Sequence, residues 1–212
     1  MLFDLAAITP DDGYKLAVST IAPRPIAWVT SIDAAGVVNA APFSFFNVVA
    51  SAPLIVAVGI GPKRAGPKDT AANIQQTGEF VVNLVSEEVA GHMNITAIDF
   101  PAGHDELAEA QLTPAACAKV RPPRILESPV SLECRTHTVV RTGCHHVVLG
   151  EAVAIWVRDD CVLDAVKCYI DTPKLGLIGR MHGRGWYVRT TDLMEMDRLR
   201  LADWQARTNA AD

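Results

Sequence analysis

The sequence predicts a mainly β fold with peripheral helices, closed into a barrel, and three observations predict it. About six segments rich in β-branched and aromatic residues are separated by turn residues. The helical segments are too few and too scattered for the strand–helix alternation of a doubly wound sheet. Half of the 212 residues are hydrophobic and a fifth are charged. That composition buries a core without disulfide or metal staples and excludes disorder.

The elements follow in order. Thr9-Pro10-Asp11-Asp12 reads as a helix start, with a Thr cap, Pro in the first turn and acids where the dipole favours them. That helix carries Tyr14, Leu16 and Val18 and ends before Pro23 and Pro25. Residues 25–32 are a strand containing Ile26, Trp28, Val29, Thr30 and Ile32, and Asp33-Ala34-Ala35-Gly36 turns the chain into Val37-Val38-Asn39. Residues 54–60 form an apolar run bounded by Pro53 and Gly61, as a buried strand would be. Residues 68–77 read as a helix closed by Gly78, and residues 79–85 as a strand. A further helix begins at Ser86-Glu87-Glu88. The span 100–129 holds Pro101, Gly103, Pro114, Pro122, Pro123 and Pro129 and reads as a long surface excursion. Residues 131–157 form a long hairpin around Thr142-Gly143. The tail, 192–207, is either one amphipathic helix or a strand end followed by a helix. No repeat or linker divides the chain, so a single domain over residues 1–212 is expected.

Charge and cysteines bound the function. Lys and Arg number 19 against 24 Asp and Glu, a formal charge of −5. Nucleic-acid binders neutralise phosphates, so no nucleic-acid partner is expected, and no membrane either. The N-terminus lacks the pattern of a secretory signal, and the longest apolar stretch is broken by Ser51 and Pro53. Five cysteines without a CxxC pair read as reduced thiols, which places the protein in the cytoplasm.

Several chemistries drop out. Gly59-Ile60-Gly61 is followed by Arg64 where a dinucleotide fingerprint needs glycine, and Pro67 stands where a P-loop needs lysine. Cys134, His137, Cys144, His145 and His146 are rich in metal-ligand types. Strand alternation turns Cys134 away from His137 and His145 away from His146, so no metal site is expected. His92, His104 and the hairpin histidines read as structural.

One constellation remains. Pro23-Arg24-Pro25-Ile26-Ala27 leads through Thr30 and Ser31 to Asn39-Ala40-Ala41-Pro42-Phe43-Ser44-Phe45-Phe46-Asn47. Ser44 and Asn47 bracket an aromatic pair, giving a flat apolar wall with hydrogen-bonding groups at its edges. Lys68 and Thr70 stand at a helix N-terminus, where free amides favour an anion. An apolar slot beside an anion clamp fits a ring ligand bearing a phosphate.

These segments, with Gly150-Glu151-Ala152-Val153 and Gly179-Arg180-Met181-His182-Gly183, make the chain resemble the flavin reductase-like family. That family includes flavoredoxin and the reductase components of two-component monooxygenases. The likeness spans roughly residues 10–200. It implies an FMN-binding split β-barrel with Greek-key character, a homodimer with FMN near the subunit interface, and NADH or NADPH as donor. By position, the resemblance puts Thr30 and Ser31 on the ribityl and phosphate side. It puts Ser44, Phe45, Phe46 and Asn47 around the isoalloxazine ring, and Lys68 and Thr70 on the phosphate with Arg24 as helper. His182 falls on the nicotinamide side. Each residue also has a plainer role: the phenylalanines and Trp28 as core, Arg24 in a surface ion pair, Lys68 as a solvated charge.

The implied activity is an NAD(P)H:flavin reductase passing a hydride to FMN and electrons to an acceptor such as a partner monooxygenase. The alternatives are a tightly FMN-bound electron carrier and a non-catalytic flavin-binding module. Such chemistry is the cofactor's own, so no catalytic acid or base is assigned.

Overall fold

The structure is a computed structural model that describes residues 1–62, 68–101 and 103–209, the last four by backbone alone. In helix α1 (Pro10–Thr20) the Thr9 hydroxyl accepts the Asp12 amide. β1 (Ala27–Ile32) and β2 (Val38–Phe43) are joined by a turn in which Gly36 has φ 87°, a conformation glycine tolerates. β3 (Phe46–Ser51) and β4 (Leu54–Ile60) form the next hairpin. After α2 (Asp69–Thr77) comes β5 (Glu79–Leu84). The acidic start at Ser86 becomes a 3-10 turn running into α3 (Ala90–Ile95). Three short elements follow: α4 (Glu106–Glu109), β6 (Pro114–Ala115) and β7 (Arg124–Ile125). The long hairpin is β8 (Val130–Thr142) with β9 (His145–Val157). β10 (Val162–Asp164) pairs with β11 (Tyr169–Ile170), and β12 (Ile178–Arg180) with β13 (Tyr187–Arg189). The tail has no regular structure from 192 to 200 and then forms α5 (Leu201–Asn209).

Seven strands form one antiparallel sheet in the order β2-β1-β5-β8-β9-β4-β3. Its two edges are β2 and β3, yet only Ser44 and Phe45 separate them along the chain. A flat sheet of this width spans six gaps of ~4.8 Å, and two residues reach at most ~3.5 Å each. The sheet is therefore curled into a barrel, and because six antiparallel steps leave β2 and β3 running the same way, β2 continues end to end into β3 through a bend at Ser44–Phe45, the seam of the barrel. The Gly59 amide donates to the Phe45 carbonyl at 2.7 Å, one step beyond the Phe46–Val58 pair, and so carries the β3–β4 ladder up to the bend. β3 is not among the strands the sequence predicts. Its run from Asn47 to Ser51 is exposed on both faces, so the alternation that marks a half-buried strand is missing.

One core fills the barrel. Val29 of β1, Val58 of β4, Phe80 of β5, Cys134 of β8 and Val148 of β9 meet there, with Ile74 of α2 packed among them. A second core covers the outside of β1, β2 and β5, where Trp28 packs among Met93, Leu107, Leu112 and Ile125. β1 is consequently buried along its whole length. This corrects the expected surface excursion at 100–129. Its prolines prevent a regular ladder but not burial, and Ala110 and Ile125 are fully buried.

Glu133 fastens that second layer to the barrel. It is fully buried on β8 and accepts the Ala118 amide at 2.9 Å, the Lys119 amide at 2.5 Å and the Trp156 indole N–H at 2.5 Å. Burial works against its charge, but these donors outweigh it and hold the carboxyl below its ordinary range. A carboxylate lowered in the folded state stabilises above its unfolded pKa, and that contribution is lost as pH falls through the folded value. Glu133→Gln should therefore be less stable than wild type at neutral pH and lose less on acidification. Thermal unfolding followed from about pH 7 to pH 3 checks this; parallel pH curves for the two proteins would contradict it.

Candidate functional site

The seam carries a hollow of about 320 Å³, within the ~300–1,000 Å³ typical of small-molecule sites. One wall is Ala17 of α1 with Ile21 just past its end; the floor is Pro23-Arg24-Pro25; the far wall is Ser44-Phe45-Phe46-Asn47. Phe45 is 42 % exposed, with the Tyr14 ring 6.2 Å away. It sits directly on Gly59, where a Cβ would come within 3.0 Å of the Phe45 Cβ. Gly59 thus sets the position of the wall, a role its dismissal as a fingerprint glycine does not reveal.

A smaller hollow of about 80 Å³ lies on the other side of Phe43. Pro42 lines this one and Ser44 the first. Lys68 stands in it with its ammonium 5.7 Å from the centre of the Phe43 ring. Asp69, Asp99 and Glu106 line it too. The Thr70 hydroxyl donates to Asn39 Oδ1 at 2.9 Å, and Asn39 Nδ2 donates to Glu106 Oε1 at 3.0 Å. Glu106 also accepts the Ala40 amide at 3.2 Å, covering the open edge of β2. Burial pushes the Glu106 carboxyl above its ordinary range, with the Ala40 and Asn39 donors pulling the other way.

Five of the expected site residues converge in the first hollow: Arg24, Ser44, Phe45, Phe46 and Asn47. Lys68 and Thr70 converge in the second. Arg24 thus lines the first hollow and not the one that holds Lys68, and no ion pair among the described residues holds it. Its Nη1 donates to the Val18 carbonyl at 2.8 Å and to that of Ile21 at 2.6 Å, and its Nη2 to Met181 at 2.9 Å. Thr30 and Ser31 line neither hollow. Both are fully buried: Thr30 donates to the Pro123 carbonyl at 2.6 Å, and Ser31 accepts Asn73 Nδ2 at 3.2 Å. Their hydroxyls face opposite sides of a strand buried on both faces and are spent on packing. His182 is exposed on the turn between β12 and β13, its ring stacked 6.2 Å from Trp186. Pro67, expected to block a P-loop, lies outside the described residues. Cys134 faces the core, where burial pushes its thiol up to about 12, while Cys144 is exposed at the hairpin turn.

Residues 19–172 match the family described as the flavin reductase like domain. The chain belongs to the flavin reductase-like family. An uncharacterized protein of Deinococcus radiodurans is 42% identical over 215 residues, which cover 99% of this chain and 95% of that one. The nitrilotriacetate monooxygenase component B of Bacillus cereus superposes with a TM-score of 0.87 at 30% identity, covering 92% of this chain and 98% of its own. The 2-nitrobenzoate 2-nitroreductase NbaA of Pseudomonas fluorescens gives 0.86 at 29%, covering 95% and 98%. The curled sheet is the split barrel of this family. No helix among the described residues of this flavin reductase-like chain is long and apolar enough to cross a membrane.

Proposed function

We propose that this protein is an FMN-binding oxidoreductase that takes a hydride from NADH or NADPH. The carrying observation is the seam itself. A flat wall with polar edges stands on one side of Phe43 and a lysine on the other. The isoalloxazine ring is assigned to the first hollow, with Phe45 and Phe46 on its face and Ser44 and Asn47 at its edges. The phosphate is assigned to Lys68 at the start of α2, with Thr70 holding Asn39 in place. Bound flavin supplies the hydride-accepting chemistry; the protein holds two flat rings together and keeps water off them. His182 stays assigned to the nicotinamide side, on the hairpin whose Met181 carbonyl Arg24 holds. Thr30 and Ser31 are left out of the assignment.

The test is the absorption spectrum of the purified protein, then separate additions of NADH and NADPH without air. Flavin bands bleached by either nucleotide are expected. Bleaching only by a protein donor would make it a flavoredoxin-like carrier, and flavin that no donor reduces would make it a binding module. The likeness to a monooxygenase component B favours a monooxygenase as electron acceptor. We further place the chain in the cytoplasm as a single domain over residues 1–212.

The same proposal includes a homodimer. Val48 and Val49 on edge strand β3 are 52% and 56% exposed beside Phe45, an apolar edge that monomers rarely leave open. Closed two-fold pairs are the commonest way to cover such a patch. Light scattering should give the dimer mass, and a monomer that still carries flavin would refute it.

A further inference from the structure

Arg24 places a positive charge in the ring hollow that its own surroundings do not neutralise. It is 7% exposed. Besides the carbonyls of Val18, Ile21 and Met181, the one side-chain partner among the described residues is the Ser44 hydroxyl, reached by Nε at 3.4 Å. Carbonyls satisfy hydrogen bonds without supplying a full negative charge. The titratable side chains that act on Arg24 are Tyr14 and Arg180; neither is a carboxylate, and Arg180 repels it. Burial, and then that repulsion, depress its pKa, yet a guanidinium stays charged at any physiological pH. Of its five N–H groups, the second on Nη2 has no partner among the described residues. A buried charge without a counter-ion is costly to keep. The remaining lining of the hollow is largely apolar, so the missing counter-charge belongs to what binds there.

We propose that Arg24 is the counter-charge for a ring that becomes negative on two-electron reduction, so that it raises the reduction potential of flavin bound at the seam. The proposal rests on the ring lying in this hollow. When the nicotinamide C–H bond breaks and its electron pair forms the N5–H bond, one unit of negative charge arrives on the flavin at N1 and the adjoining C2 carbonyl. A fixed cation facing that edge favours the reduced ring over the oxidised one. Arg24 does not exchange a proton or a bond with substrate; it is a positioning charge.

Two measurements on the purified FMN complex test this, neither of them turnover. The first is the midpoint potential of bound FMN against that of free FMN. Reduced FMN should bind about tenfold tighter than oxidised, which lifts the two-electron potential by ~30 mV. The second is sulfite affinity: the sulfur lone pair forms a bond to N5 and delivers the same negative charge to N1. Arg24→Gln should weaken sulfite binding at least tenfold and abolish the shift in potential, about what a unit charge contributes in a partly buried site. Arg24→Lys, which keeps the charge but loses the planar clamp, should stay within about threefold of wild type. Equal losses in Lys and Gln variants would reduce Arg24 to a clamp and overturn the proposal. So would a wild-type potential at or below that of free FMN, a measurement that decides the matter even where Arg24→Gln fails to fold. Absence of any flavin from the wild-type protein would instead remove the proposed function first, and this inference with it.

Discussion

Gly150→Ala is expected to cost about 3 kcal/mol of stability or more, a large effect for one methyl group. Gly150 lies on β9 between Val56 of β4 and Thr136 of β8. A Cβ there would stand 2.3 Å from Phe80 Cζ and 2.9 Å from Cε1, with Cys134 Cβ at 3.4 Å. Phe80 cannot step aside, because it is fully buried in the barrel core. Overpacking usually costs ~1–3 kcal/mol, and a rigid ring held by its neighbours puts this case at the upper end. Urea unfolding gives the number. Phe80→Leu in the same chain should recover part of the loss, because a smaller side chain makes room for the methyl group. The double mutant would then be more stable than the two single changes summed. A Gly150→Ala midpoint close to wild type, or strict additivity with Phe80→Leu, would show that the ring moves freely.

Lys68→Ala should weaken FMN ten- to a hundredfold and leave riboflavin almost unaffected. The lysine is the cation that the described residues bring to the small hollow, and it shares that space with Asp69, Asp99 and Glu106. Charge-assisted hydrogen bonds contribute about 1.5–3 kcal/mol, which sets the range. Without the lysine, a phosphate dianion would face carboxylates, so the loss should fall toward the larger figure. Thr70→Val should matter less, because that hydroxyl already donates to Asn39. Titrating FMN and riboflavin into all three proteins separates the cases. A Lys68→Ala variant that loses both ligands equally, or neither, would move the phosphate elsewhere.

The strands with strong local patterns were legible: β1, β4, β5 and the β8–β9 hairpin stand where their β-branched runs place them. β3 was hidden because its valines face solvent. The layer at 100–129 was hidden for a different reason. Its buried residues, such as Leu107 and Ile125, have no period of their own and are placed only by the outer face of β1, β2 and β5. The seam residues Ser44 to Asn47 were legible because polar groups flank aromatics there. Thr30 and Ser31 show the limit of that signal. A hydroxyl on a strand reads the same whether it meets a ligand or a carbonyl from residue 123, and only the fold supplies Pro123 and Asn73. The α1 wall and the Thr70–Asn39–Glu106 chain likewise join residues far apart in sequence.

A fully closed barrel can widen only by tearing a ladder of backbone hydrogen bonds. This one is closed at one place by a bent strand instead. In the sheet β2 pairs with β1 alone and β3 with β4 alone, so on either side of the Ser44–Phe45 bend the strand has one side without a ladder, and the Gly59–Phe45 bond is the last rung of the β3–β4 ladder before the bend. Breathing motions of the barrel should therefore be cheapest at the bend and dearest at β5 and β8, which have paired neighbours on both sides. A planar molecule seated against the bend would stiffen it like a pin in a hinge. Loading and release thus become a local flexing of one bend, while the rest of the sheet keeps its register.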